Sequence, residues 1–335
     1  MNLAIVGATG NVGRKTLEIL EKSKLAFNQI YLVASKKSAG QKLSFREKEI
    51  EVEDINTYDF AKAAITFFAA GSNVAKEWAL EASKKTIIID NSSFFRMQKD
   101  VPLVVAEVNP EALRSHKNII ANPNCSTMQM LLALKPLHDE YKIKRVVVST
   151  YQAVSGAGKN AENELFDQTR NYLNGETVKS ENFTKQIAFN LIPHIDKFEK
   201  DGYTKEELKM LNETKKILDE NIKLTATCVR VPVRTSHCES INIEFENLYN
   251  FENIKKILKK APGCKVVDEQ KDGGYTTPIE AEGDYLTYIS RVRKDNSNTN
   301  AINIWVVSDN LLKGAALNTV QIAEILIKNK ENSLR

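Results

Sequence analysis

Cysteine is scarce and scattered. Four thiols in 335 residues, Cys125, Cys228, Cys238 and Cys264, show neither CxxC spacing nor the density of a disulfide scaffold. A stapled secreted domain is thereby excluded. The four are expected to be reduced, each a small buried hydrophobe unless its surroundings say otherwise. Apolar runs of membrane-spanning length are also missing. Met1 leads directly into Leu3–Val6 and then into glycines, without the basic start, long apolar stretch and cleavage site of a secretory signal. A cytoplasmic protein with no membrane partner is expected. Nor does one sign of charge dominate: Lys plus Arg total 47 against 43 for Asp plus Glu, and the net +4 gives no electrostatic case for nucleic acid. The lysine-rich stretch 255–260 reads as a solvated helix face. No internal repeat, low-complexity tract or metal-ligand cluster is present in the sequence, so no metal is expected.

What is there suffices for a folded enzyme-sized chain: 42% apolar and 27% charged residues. The length exceeds one ordinary hydrophobic core, which stops growing near roughly 250–300 residues, so two domains are expected. The first third alternates β-rich runs with helical patterns: strands at Leu3–Val6, Ile30–Ala34, Ile65–Ala70 and Thr86–Asp90, helices at about 11–21 and 73–83. Leu103–Ala106 and Asn118–Ala121 read as two further strands. This alternation predicts a parallel sheet covered by helices. After Cys125 come a helix to about Tyr141 and strands near Arg145–Tyr151, Leu224–Val231, Ile241–Glu246, Leu286–Arg293 and Ile302–Val307, a spacing that fits a mixed sheet. Asp295–Asn300 reads as a hairpin turn, Asp268–Gly283 as a surface loop, and Ala315–Lys328 as an amphipathic helix able to pack back on the first domain.

The first strand runs directly into Gly7-Ala8-Thr9-Gly10-Asn11-Val12-Gly13 and then a helix. Glycines there let backbone turn tightly and approach a pyrophosphate, which the helix N-terminus then faces. The spacing is GxxGxxG rather than GxGxxG, and an ordinary glycine-rich βα turn is the alternative. The second strand ends in Ser35-Lys36-Lys37-Ser38, where NAD-binding folds place an acid. Two hydroxyls and two cations suit the 2′-phosphate of NADP. A solvated surface turn is the competing reading.

Asn122-Pro123-Asn124-Cys125-Ser126-Thr127 precedes an apolar run, so Cys125 falls at or just before a helix N-terminus. An unperturbed thiol with pKa near 8.5 is only about 3% thiolate at pH 7, and lowering it to about 7 requires roughly 2 kcal/mol. A helix terminus supplies roughly 0.3–1 kcal/mol, so a second group should help. His237, in Arg230-Val231-Pro232-Val233-Arg234-Thr235-Ser236-His237-Cys238-Glu239, is the best candidate, although taken alone a histidine there is more often structural than catalytic. His116, His138 and His194 have weaker contexts.

These segments, with Asp90-Asn91-Ser92-Ser93-Phe94-Phe95-Arg96 and Tyr151-Gln152-Ala153-Val154-Ser155-Gly156-Ala157-Gly158, closely resemble the aspartate-β-semialdehyde dehydrogenase family over nearly the whole chain. The resemblance implies an α/β fold: a Rossmann-type parallel-sheet domain over 1–125 and 312–335, binding NADP, and an α+β catalytic and dimerisation domain with a mixed sheet over 126–311. It implies Cys125 as nucleophile, His237 as general acid–base and Gln152 as an amide orienting the acyl group or its attacking partner. Arg96 and Lys209 would hold phosphate, Arg230 the substrate carboxylate and Glu206 the amino group. Without the resemblance, Glu206 and Lys209 read as an exposed i,i+3 ion pair behind the capping box Thr204/Glu207, and Arg96, Gln152 and Arg230 as surface or structural residues. The cofactor would meet Thr9 through Val12, Ser35 and the lysines after it, Ser72, Ser155, Gly156 and Asn310. Lys37 departs from the arginine expected in relatives, a point charge replacing a fork. Cys238 beside His237 is another departure and suggests oxidant sensitivity.

The implied reaction is NADPH-dependent reductive dephosphorylation of β-aspartyl phosphate through a cysteine thioester, in the aspartate route to lysine, threonine and methionine. Small-molecule substrate, inorganic phosphate and a homodimer or homotetramer are the implied partners. An N-acetylglutamyl-phosphate reductase shares the chemistry but needs no acidic group for a free amine. A non-catalytic NADP-binding redox sensor would use Cys125 as a switch. A cysteine hydrolase would leave the nucleotide cradle unexplained.

Overall fold

The computed structural model describes residues 1–333, with side chains through residue 329. The chain forms two compact units, Met1–Pro123 with the segment beginning at Ala315, and Asn124–Gly314. No helix among the described residues is long and apolar enough to cross a membrane.

The first unit holds a seven-stranded sheet of β1 (Asn2–Val6), β2 (Gln29–Ala34), β3 (Lys42–Phe45), β4 (Lys48–Asp54), β5 (Ile65–Phe68), β6 (Ile87–Asp90) and β7 (Ile119–Ala121), in the order β3-β4-β2-β1-β5-β6-β7. All pairings are parallel except β3 with β4. Parallel strands are covered on both faces, so Leu3, Ala4 and Ile5 are fully buried. The chain leaves β1 for α1 (Asn11–Lys22) and β2 on one side, then returns to β5 on the other. That reversal opens a crevice beyond the ends of β1 and β5, the place where such sheets bind ligands. α2 (Ser72–Ala82) follows β5.

One element carries no sequence signal and one local expectation fails, each for a physical reason. The β3–β4 hairpin was unread because its turn is Arg46-Glu47, both at positive φ (48° and 64°), without the Asn-Gly signal such a turn usually carries. Leu103–Ala106 makes only a single parallel bridge, Leu103 to Ala121, and does not continue as a strand. Val104 N–H still donates to Ala121 O, but four other backbone groups are taken by side-chain amides: Asn109 accepts from Val105 N–H and donates to Leu103 O, while Asn318 accepts from Ala106 N–H and donates to Val104 O. Asn318 lies on the C-terminal helix, Leu317–Ser333, which begins after one π-helical turn, Leu312–Ala316. Its first residues are buried on every side, Asn318 and Thr319 included, rather than along one stripe.

The second unit carries a six-stranded mixed sheet of β8 (Ile143–Gln152), β9 (Lys223–Arg230), β10 (His237–Phe245), β11 (Cys264–Val266), β12 (Thr287–Lys294) and β13 (Ala301–Ser308), in the order β11-β12-β13-β10-β8-β9. β10 runs antiparallel to both neighbours, and β8 is parallel to β9. β10 begins at His237, four residues before the expected Ile241, so His237 lies within a strand. Helix α3 (Cys125–Tyr141) is buried along almost its whole length, through Met128, Leu131, Leu132, Leu134 and Leu137. Four more helices complete the unit: α4 (Lys159–Leu173), α5 (Lys205–Ile217), α6 (Phe251–Lys260) and α7 (Pro278–Ala281).

Candidate active site

Sheet register assembles the core of the site in the second unit. Gln152 at the end of β8 lies opposite Arg230 at the end of β9, and Thr150 lies opposite both Cys228 and Glu239. His237 opens β10, opposite Ser308 of β13. Neighbouring strands are about 4.8 Å apart and side chains alternate faces. Arg230, Gln152 and His237 therefore form one rank across three strands on one face, with Cys228, Thr150 and Glu239 as the rank beneath. All three of the upper rank are buried.

One residue, Ala153, ties the rank together through the peptide groups on its two sides. Ala153 N–H donates to His237 Nδ1 at 3.0 Å, and Arg230 Nη1 donates to Ala153 O at 2.7 Å. Because Nδ1 accepts, a neutral ring carries its proton on Nε2. Burial, with the Arg230 cation adding to it, pushes His237 down to about 3, so the ring is neutral over the working range. Nε2 is buried with no hydrogen-bond partner among the described residues. Gly156 keeps the space before it open: a Cβ there would lie 3.2 Å from Nε2 and 3.1 Å from Arg230 Nη1. Asn310 exchanges hydrogen bonds with the Ser155 hydroxyl and accepts from Ser236 N–H at 2.9 Å, fixing the residue before His237.

Cys125 is the first residue of α3 and is partly exposed. Asn124 caps that helix, its Oδ1 accepting from the N–H groups of Ser126 and Thr127. Gly314 approaches Cys125 so closely that a Cβ would sit 2.7 Å from the cysteine Cβ. Burial pushes the Arg230 guanidinium below its usual range, and the charges of Glu206 and Cys125 only partly offset this. The other thiols differ. Cys238 faces away from the His237 rank and is 2% exposed, its thiol pushed up to about 12 by burial and by Glu239. Burial likewise raises Cys228. Oxidant sensitivity at Cys238 has no support in this arrangement, since reactivity needs access and thiolate.

Glu206 collects the remaining polar groups. Its Oε1 accepts from Asn124 Nδ2 at 2.8 Å and Gln152 Nε2 at 3.2 Å, and its Oε2 from Lys209 Nζ at 3.1 Å. Burial works to raise this carboxyl, but Lys209, Asn124 and Arg230 outweigh it and hold it below its usual range. The pair is thus not the exposed ion pair that spacing alone suggests; Glu206 is 5% exposed. The capping box of Thr204 and Glu207 does form, and it starts α5 so that both residues lie on the inward face.

The remaining expected residues lie in the first unit. Gly7 has φ +84°, and a Cβ there would press to 2.7 Å on Ala69 at the end of β5; a Cβ at Gly13 would reach 2.2 Å from Gly7 O. Gly10, the N-cap of α1, has no side-chain cap, and a Cβ there would meet nothing closer than 3.4 Å. Uncapped amides beside open space fit a pyrophosphate. Thr9 Oγ1 contacts Ser38 Oγ at 3.5 Å, joining the glycine turn to Ser35-Lys36-Lys37-Ser38. Both lysines are exposed and form no ion pair among the described residues, which fits a 2′-phosphate. Ser72 opens α2, its hydroxyl 3.1 Å from Ser93. Arg96 is buried, with Nε donating to Asn122 O and Nη2 to Asn91 O.

Known proteins are similar to this chain over nearly its whole length. A family model for the semialdehyde dehydrogenase dimerisation domain matches residues 134–313, and one for the semialdehyde dehydrogenase NAD binding domain matches residues 2–116. The aspartate-semialdehyde dehydrogenase of Aquifex aeolicus is 51% identical over 332 residues, covering 97% of this chain and 98% of its own. The chain belongs to the aspartate-semialdehyde dehydrogenase family. Among solved structures, aspartate semialdehyde dehydrogenase II of Vibrio cholerae complexed with ASA matches with a TM-score of 0.95 at 44% identity, over 98% of each chain. The Candida albicans aspartate semialdehyde dehydrogenase with NADP matches at 0.75 and 26% identity, over 97% of this chain and 98% of that one. The expected fold class, a Rossmann-type unit plus a mixed-sheet unit, holds for this family member.

Three contributors escaped the sequence reading. Asn124 carries a plain N-cap signal next to Cys125 that was readable but unused. Gly314, and Asp196, whose Oδ2 accepts from Lys209 Nζ at 2.8 Å, carry none, because a close approach and a loop contact depend on the fold.

Proposed function

We propose that this chain reduces β-aspartyl phosphate to aspartate β-semialdehyde with release of phosphate, using NADPH and a thioester on Cys125. The observation that carries the reading is the partly exposed Cys125 at a helix start capped by Asn124, whose side chain shares Glu206 Oε1 with Gln152 of the rank formed by Arg230, Gln152 and His237.

Cys125 Sγ attacks the acyl carbon, the C–O bond to phosphorus breaks, and phosphate leaves on Arg96 and Lys209. Arg230 grips the substrate carboxylate, since a planar fork suits it better than an ammonium. Glu206 has three of its roughly four acceptor positions taken, leaving one for the substrate amino group. Both amide protons of Gln152 are engaged, on Glu206 and on Thr150 at 3.3 Å, so orienting the acyl group requires exchange of the weaker bond. His237 Nε2–H donates to the oxyanion that forms at the acyl oxygen, a donor kept neutral and preorganised by burial. Gly7 through Gly13, Ser35 through Ser38, Ser72, Ser155, Gly156 and Asn310 would hold NADPH, which would supply the hydride that takes a thioester to the aldehyde level. Splitting the reduction this way helps because a thioester accepts hydride far better than a carboxylate does. Cys125 then leaves as thiolate, ready for the next acyl phosphate.

A homodimer or homotetramer and a cytoplasmic setting accompany this reading. The test is NADPH formation from aspartate semialdehyde and NADP, which should require inorganic phosphate and vanish in Cys125→Ala. Preference for the N-acetylglutamyl substrate would reject the assignment, and absent turnover with intact NADP binding would favour a sensor.

A further inference from the structure

Lys209 is not a solitary cation. Its ammonium lies 3.1 Å from Glu206 Oε2 and 2.8 Å from Asp196 Oδ2. Asp196 belongs to a loop fixed at both ends on the site. Ile192 and Arg230 exchange backbone hydrogen bonds, and Phe198 bridges to Thr204, the N-cap of the helix that bears Glu206 and Lys209. Within the loop, Asp196 takes a left-handed φ of +69°, a conformation most residues with a Cβ avoid. Its Oδ1 accepts from Lys197 N–H at 2.9 Å, which turns Oδ2 to the lysine.

Charge and donor counts give this contact a meaning. Asp196 and Glu206 together match Lys209 and Arg230, so the cluster is balanced before any ligand arrives. An ammonium has three donors; two are directed at carboxylates, and the side chain remains 26% exposed. A phosphate can take the third proton without displacing either acid, but it then meets a cation whose charge is already offset. The Asp196 side chain, 33% exposed, stands close to that incoming dianion.

We propose that Asp196 is a positioning residue for the phosphate of this reaction: it holds the Lys209 ammonium against Glu206 and tempers its charge, so that phosphate exchanges readily. The proposal rests on the reading above in which Lys209 meets phosphate. Asp196→Asn keeps an acceptor in the same place and removes only the charge. An exposed pair of this kind is worth roughly two- to five-fold in an equilibrium constant.

The test is steady-state kinetics of wild type and Asp196→Asn in the phosphate-consuming direction, varying phosphate and semialdehyde separately at two ionic strengths. The expected result is a phosphate KM lowered about two- to five-fold, more than the semialdehyde KM or kcat changes, with the gain shrinking as salt rises. A phosphate KM that stays or rises, or constants that all move together, overturns the proposal. If the wild type shows no phosphate-dependent turnover, the functional reading fails on its own. The inference is then decided by phosphorus-31 line broadening of inorganic phosphate: stronger with the variant supports it, equal or weaker overturns it.

Discussion

Replacing Asn124 separates two contributions that meet beside Cys125. The side chain caps α3 through Oδ1, and through Nδ2 it donates to Glu206 at 2.8 Å. Loss of an asparagine cap costs about 1 kcal/mol. A hydrogen bond to a buried charged group contributes roughly 1.5–3 kcal/mol. Asn124→Ala should therefore destabilise the second unit by about 2.5–4 kcal/mol, and Asn124→Ser, which keeps a capping oxygen, by about 1.5–3 kcal/mol. Asn124→Asp keeps the cap but sets a second carboxylate against Glu206. Two such groups cannot both ionise cheaply, so the pair takes up a proton and its folded pKa rises above the unfolded value. Its stability is then full at low pH and lost as pH rises. The Asp variant should be the least stable of the three at pH 7.5 and recover ground toward pH 5. Urea unfolding followed by Trp305 fluorescence in a Trp78→Phe background reads the second unit alone. Equal losses for the Ala and Ser variants would refute the contribution assigned to the cap, and a Ser variant as stable as wild type would refute the contribution assigned to the Glu206 bond. An Asp variant indifferent to pH would refute the charge argument.

Other consequences follow from the same geometry. His237 lies below its unfolded value of 6.5, at about 3, so its contribution to stability is full above 6.5 and lost as pH falls toward about 3. By pH 5 the loss is about 2 kcal/mol, and His237→Asn should flatten that part of the stability curve; an unchanged curve counts against a buried neutral ring. Glu239 is fully buried and burial raises its carboxyl well above 4.5, only partly eased by Gln129. Its stability contribution is therefore full below 4.5 and declines as pH rises. Glu239→Gln should stabilise the protein at neutral pH, with the gain closing below pH 4.5 in a denaturant titration. Gly314→Ala places a Cβ 2.7 Å from that of Cys125, whereas Gly156→Ala meets His237 only at 3.2 Å. The first should slow alkylation of Cys125 and turnover more than the second, and the reverse order would contradict the close approach.

How much of this was readable depended on how local the cause was. The glycine turn, the helix starting at Cys125 and the Thr204–Glu207 capping box are fixed by neighbours within a few residues, and all three appear as the sequence suggests. The rank of Arg230, Gln152 and His237 is different in kind. It arises from the register of strands far apart in the chain, and nothing in the local pattern around His237 announces that it heads a strand. Burial was the other blind spot. Glu206, Arg96 and Arg230 are charged types that spacing assigns to the surface, and each is buried because a specific partner compensates it. Leu103–Ala106 shows the converse: an apolar β-rich run that bridges β7 at one residue and then gives most of its backbone groups to asparagine side chains from elsewhere in its unit.

The claim on which the account turns is that the acyl group is carried by Cys125. Wild-type protein given aspartate semialdehyde and NADP without phosphate, then acid-quenched and measured as intact protein, should carry one aspartyl group on a peptide containing Cys125. Added phosphate should discharge it. Turnover without any adduct at that cysteine, or undiminished turnover in Cys125→Ala, would contradict the account.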